Sequence, residues 1–326
     1  MVDLDPDDPI DESDIEPMAD LREINFSGAD LTDANLSNAT LIDANLSNVN
    51  LTDADLSEVV FSDDNPDADA DSLPADLSNA NLSMANLTGA DLRNVNFTDA
   101  NLSDADLRGA ILKNATLDRV NLQNANLSDA DLRDTNPSDA NLSSINLRDA
   151  ILKRINFSGA DLSETDFTNA ELSKADFSNA DLTNASLSET NLFKTNLSGA
   201  TLTDANLHNA NLLDADLPHA NLSNADLSEV IFSNANPDAD SLPADLSNAD
   251  LSMANLTYAT LCDADLSSAD LTGADLSDAD LTNANLTGAD FTSATLNQTV
   301  ILDSSGDECF ASRKMLAEKG AIIREA

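Results

Sequence analysis

The side chains most ready for chemistry in this chain are carboxylates. Asp63, Asn65, Asp67, Asp69 and Asp71 alternate in a run that closes on Pro74, a string of oxygen donors of the kind used by calcium loops. The run lacks the glycine such loops need at the sixth position and the bidentate Glu at the twelfth, so a solvated acidic corner is the stronger reading. His208 and His219 stand alone on outward positions, with no third ligand near them in the pattern. Cys262, also on an outward position, and Cys309 in the tail make neither a disulfide framework nor a metal motif. No Ser-His-Asp set, phosphate loop or dinucleotide fingerprint occurs. The chain is therefore expected not to be an enzyme, and no catalytic, cofactor-binding or metal residue is assigned.

The cations are the informative charges. Between Arg22 and the C-terminal segment, every Lys and Arg falls within residues 93–194. Arg93, Lys113, Arg133 and Lys153 follow one another at intervals of twenty, and Arg154, Lys174 and Lys194 continue that interval one position on. Ile111 and Ile151 stand where Asp or Asn is usual, and Phe193 and Leu213 where Ser or Thr is usual. If twenty residues make one turn of a coil, all of these share a face that is both basic and apolar. Two readings stand: a charge ladder relieving acidic crowding, or a strip that binds a partner.

What must position that face is a repeat. From Leu77 to Phe232 a Leu or Phe, once replaced by Pro137, returns every fifth residue, preceded two positions earlier by Ala, Val, Thr or Ile. Five matches neither the helical period nor the strand period. A small and a large apolar residue two apart point to one side of a short extended segment, with Asp or Asn between them pointing away. The next two positions carry turn chemistry, because Asn, Asp and Gly tolerate positive φ. Strand and corner alternate into a coil, and coils stack through backbone hydrogen bonds about 4.8 Å apart.

The unit Ala-(Asp/Asn)-Leu-(Ser/Thr)-x, as in Ala80-Asn81-Leu82-Ser83-Met84, resembles the pentapeptide-repeat family over nearly all of residues 19–302. The resemblance implies an all-β fold, a right-handed quadrilateral β-helix with four repeats per coil. Counting Pro66, Leu73, Pro237 and Leu242 as apolar centres gives about 14 coils and a length of about 65–70 Å. Two readings stand for the interruptions after Phe61 and Phe232, loops or, on that count, small bulges; either way they are copies of one feature, since Asp55–Phe61 and Leu82–Thr88 recur in near-identical form at Asp226–Phe232 and Leu251–Thr257.

The ends differ from the repeat. Residues 1–18 read as a disordered acidic tail. Residues 303–326 read as a C-terminal capping helix and tail: Ser305-Gly-Asp-Glu308 is a capping box before Cys309, Phe310, Met315 and Leu316, and Gly320 suits the position after the helix. Ile322 and Ile323 are expected to help cover the last coil. In some members of the resembled family such a segment makes a homodimer.

The whole chain has 60 acidic against 15 basic residues and a net charge of −45. That excludes direct binding to nucleic acid or to an anionic membrane, and the dominance of Asp with scarce Lys resembles proteins adapted to molar salt. With no basic leader, no apolar span and no disulfide pattern, a cytoplasmic location is expected. The leading reading is a non-catalytic, acidic, halophilic solenoid that acts as a protein-interaction scaffold. The alternative comes from the resemblance: some members mimic B-DNA and inhibit or protect DNA gyrase, a type II topoisomerase. The repeat tract carries roughly one net charge per 1.9 Å, near the ~1.7 Å of duplex DNA.

Overall fold

The computed structural model describes residues 15–62, 75–137, 140–233, 242–303 and 320–325. The chain forms two compact units, Met1–Asn156 and Phe157–Ala326. Within each, consecutive repeats form single-residue parallel rungs with the repeat twenty residues on, such as Asn81 with Asn101 and Asp181 with Thr201. Four five-residue repeats thus complete one coil, as the cation interval requires.

One bonding rule builds every coil. The apolar centre donates its N–H to the next coil, as Leu82 does to the carbonyl of Asn101 at 2.7 Å, and Asn101 donates back to Ala80 at 2.8 Å. The corner closes when Ala85 N–H reaches the carbonyl of Leu82 at 3.1 Å, leaving Met84 left-handed at φ 63°. Corners of Asn, Asp and Gly fit that geometry freely. Arg119, Lys174, His219 and Tyr258 adopt it too, although a side chain in this region costs about 1–2 kcal/mol. The corner N–H is tied to the next coil, as Lys174 is to the carbonyl of Phe193 at 2.8 Å, and that bond holds the conformation.

The Leu and Ala columns form the core of both units, with Leu127, Leu182 and Leu256 fully buried. Pro137 is buried at a centre, as its spacing requires. In the second unit Phe157 and Phe177, one coil apart, stack at 5.2 Å between ring centres, and Phe167 meets both edge-on. Where Thr135, Thr190 and Thr195 replace the small residue, the hydroxyl turns back onto the backbone, as Thr190 does to the carbonyl of Leu187 at 2.6 Å, whereas the buried hydroxyl of Thr165 makes no hydrogen bond among the described residues.

The coil continues past both interruptions. Asn45 pairs with Asp76 and Val60 with Asp91, at a separation of 31, and Asp216 pairs with Asp245 at 29. Eleven and nine residues therefore lie outside the coil register, which favours loops over small bulges. Leu242 is 72% exposed, so it is no interior centre despite its spacing. Pro66, Leu73 and Pro237, also counted as centres, lie outside the described residues.

At the C-terminal end, strand β1 (Val300–Asp303) continues the rung from Asp280, and strand β2 (Ile322–Glu325) pairs parallel to it. Ile322 is thus 39% exposed and part of an added edge strand rather than a covering side chain. The expected helix and Cys309 lie outside the described residues, as do residues 1–14 of the acidic tail and Asp63–Asp71. No helix occurs among the described residues.

Candidate interaction face

Each coil presents the residue before its apolar centre outward, and its carboxamide or carboxylate does local work. The Oδ1 of Asn25 accepts the N–H of Ser27 at 3.2 Å, and Asp250 accepts from Ser252 at 2.9 Å. This turn recurs through both units and explains why the position takes only Asp or Asn so often. With Oδ1 pinned forward, an Asn has its Nδ2 free to donate to the preceding coil. In the first unit Asn101 donates to Asn81 at 3.0 Å, Asn121 to Asn101 at 2.9 Å and Asn141 to Asn121 at 2.9 Å.

The cation face of the first unit interrupts that pattern. Its outward column reads Asp91, Ile111, Asp131, Ile151, laddered rung to rung. Two positions on, the column reads Arg93, Lys113, Arg133, Lys153. Coils that carry Arg hold their own Asp. Arg133 Nε donates to Asp131 Oδ1 at 2.8 Å and Arg93 Nε to Asp91 Oδ1 at 2.7 Å. Burial pushes the Asp131 carboxyl upward, but the Arg133 guanidinium outweighs it and holds the pKa below the usual range. Coils that carry Lys place an Ile beside it instead. Ile111 is 37% exposed, and Lys113 closes no ion pair among the described residues, its field falling on Asp131 and Asp134. The Arg133 coil is a neutral clasp and Lys113 stands beside exposed Ile111, so the face carries less free charge than the sequence implies.

Arg154 sits on a corner at φ 62° and reaches back one coil, Nε to Asp134 Oδ1 at 2.7 Å and Nη2 to Oδ2 at 2.8 Å. Arg119 holds Asp99 in the same way. Both carboxyls are held below their usual range by the guanidinium that bonds them. These two arginines are staples between coils.

In the second unit Lys174, Lys194 and Leu213 follow on successive coils. The Lys194 ammonium lies 5.0 Å from the Phe193 ring centre and 3.4 Å from Asp214, whose side chain is nearly buried. Phe193 and Leu213 are half-buried, and Ile231, one rung beyond Asn211, is exposed. Both out-of-register segments leave from these faces, one after Phe61 beside the rung that Asp91 shares, the other after Phe232 beside Ile231. Nothing in the composition signalled that placement; the rung partners do.

Cys262 is buried, not outward. It follows Leu261 in the coil above Phe232, where the chain leaves the register and Ser233 is buried with it. Burial, with the Asp280 carboxylate nearby, pushes its thiol up to about 11. His208 Nδ1 meets Ser228 Oγ at 2.9 Å, and His219 occupies a corner. No group of three or more metal-capable side chains occurs among the described residues, nor does a helix long and apolar enough to cross a membrane.

A family model described as Pentapeptide repeats matches residues 19–63, 75–139, 140–234 and 244–298 in overlapping segments. Among solved structures, the chain is similar to HetL, a pentapeptide repeat protein involved in heterocyst differentiation regulation in the cyanobacterium Nostoc sp. strain PCC 7120. The two are 30% identical over 78% of this chain and 92% of HetL, with a TM-score of 0.34. QnrB1, a plasmid-mediated fluoroquinolone resistance protein, is 22% identical over 76% of this chain and 97% of its own, with a TM-score of 0.30. A pentapeptide repeat protein of the Arabidopsis thaliana thylakoid lumen is 36% identical over 27% of this chain and 66% of its own, with a TM-score of 0.24. Among curated proteins none matches.

Proposed function

The chain belongs to the pentapeptide-repeat family, and from that premise we propose that it is a non-catalytic scaffold whose cation-bearing faces engage a protein partner. The observation that carries this reading is the side-chain choice at Ile111, Ile151, Phe193 and Leu213. Each takes a repeat position that needs only a small polar residue, and each leaves apolar surface open beside a Lys or Arg. A ladder meant only to relieve acidic crowding needs the cations and not the isoleucines. Apolar contacts of this kind survive high salt, while Lys113, Lys174 and the remaining arm of Arg133 orient an acidic partner. The net charge of −45 suits a protein kept soluble in a salt-rich cytoplasm. Affinity capture in the native salt, comparing the wild-type chain with Ile151→Ser/Phe193→Ser, tests it. Loss of the captured partner in the variant is expected, and equal capture by both would refute the face.

A second reading is favoured by charge alone. No Lys or Arg occurs between Lys194 and Arg313, and Asp columns run along the coils of that stretch. An acidic surface of this kind would compete with duplex DNA for the DNA-binding surface of gyrase. Inhibition of supercoiling by the purified chain, relieved by excess DNA, is the expected result on this reading. Supercoiling unaffected at tens of micromolar chain, at a salt where gyrase works, would remove it.

A further inference from the structure

The cation face of the first unit has a counterpart of matching spacing within the same sequence. Asp250 pairs with Asp270, and Asp270 with Asp290, as consecutive rungs of the second unit. Asp250 and Asp270 each have one oxygen pinned by the turn N–H, from Ser252 and from Thr272, both at 2.9 Å. That bond engages Oδ1 of each carboxylate and leaves Oδ2 for another partner. Like charges on directly opposed rungs repel. Among the described residues no ion pair reaches Asp250 or Asp270, and the chain has no Lys or Arg from 195 to 312. Beside the column, Met253 lies 64% exposed over Gly273, whose missing side chain makes room for the sulfur.

We infer that the Lys113–Arg133 face of one chain docks on the Asp250–Asp270 column of a second copy, with Ile111 and Met253 supplying the apolar contact. This rests on the scaffold reading and names its partner. The argument is one of pitch. Both columns advance by one coil per charge, set by the same backbone hydrogen bonds of about 2.7–3.0 Å, so a match at one rung is a match at the next. An unrelated acidic surface has no reason to repeat at that interval. Lys113 closes no ion pair among the described residues. Arg133 uses Nε and Nη2 on Asp131, so the bonds to its own Asp leave Nη1 for a second carboxylate. Two or three coils of one face bury far less than the roughly 800 Å² per partner of a stable complex, so the association is weak and fast.

Sedimentation equilibrium of the full chain at about 0.5 M potassium chloride and about 0.2 mM protein tests it, ionic strength enough to shrink the repulsion between two acidic chains to a few ångströms. The wild type should show an average mass above 34.3 kDa. Lys113→Glu/Arg133→Glu alone and Asp250→Lys/Asp270→Lys alone should each associate at least ten-fold more weakly, and mixing the two should restore association. Asp250→Asn/Asp270→Asn keeps the turn acceptors and guards against misfolding; it should also weaken association. A monomeric wild type, or no restoration on mixing, overturns the second copy as partner. If the chain stays monomeric yet captures another acidic protein that Lys113→Glu/Arg133→Glu loses, the scaffold reading stands and this inference falls.

Discussion

The coils around Asn81–Asn141 and those around Asp245–Asp290 are built by one rule from nearly one residue set, yet their outer columns behave oppositely. In the first, amide donates to amide along the stack. In the second, Asp216, Asp245 and Asp265, and beside them Asp250, Asp270 and Asp290, place carboxylate against carboxylate. The turn needs only an oxygen, and Asn and Asp supply it equally. Between coils they differ, because only Asn has a proton to give. Asn285, which donates to Asp265 at 2.9 Å, shows the rule working even within the acidic region. Choosing Asp thus leaves local geometry intact and makes cohesion between coils depend on the surrounding ions.

The largest effect should fall where the two regions are alike. Leu127 and Leu271 are both fully buried in the Leu columns. Leu127→Asp and Leu271→Asp each bury a charge without a partner and should each cost about 4 kcal/mol or more. Thermal melts followed by circular dichroism should show this at any potassium chloride concentration. A Leu127→Asp chain with an unchanged melt would place Leu127 outside the core and break the shared rule.

Exchanging the two residue types should reverse the contrast. Asn101→Asp removes the donor to Asn81 and should destabilise by about 1 kcal/mol. Asp270→Asn gains a donor toward Asp250 and removes two like-charge contacts, so it should stabilise by a similar amount in dilute buffer and by less at about 1 M salt. Denaturant melts at both salt levels measure the pair, and effects of equal sign would contradict the account.

The arginine staples give the smallest difference. Asp99 and Asp134 titrate below their usual range because Arg119 and Arg154 bond them. Their contribution is present above the unfolded carboxyl pKa of about 3.9 and fades as pH falls through the lower folded value. Asp99→Asn/Asp134→Asn should therefore flatten the acid limb of stability slightly in the first unit. Acid melts of the variant and wild type would coincide if the staples do nothing.

Much of this was legible in the sequence. Apolar residues at an interval of five determine the columns, and cations at an interval of twenty determine the coil, because backbone hydrogen bonding allows one register. Pro137 could be placed at a centre by spacing alone. Spacing misled at Leu242, since a Leu at the right interval looks the same whether the chain stays in register or leaves it. Cys262 misled for a related reason: a position that is outward elsewhere in the repeat is covered beside buried Ser233. The pairing of Arg133 with Asp131 within one coil was also hidden, since a pattern of charges does not say which are spent on one another. The direction of the amide bonds could have been found, because an oxygen pinned by the turn leaves the nitrogen one place to go.

The central claim is that Asn or Asp before the apolar centre decides how coils cohere. Native-state hydrogen exchange at about 0.1 M and about 2 M potassium chloride, read by mass spectrometry on peptides from 76–141 and from 245–290, tests it most directly. The account predicts protection in 245–290 rising at least ten-fold with salt while 76–141 changes little. Equal gains in both regions, or none in either, would contradict it.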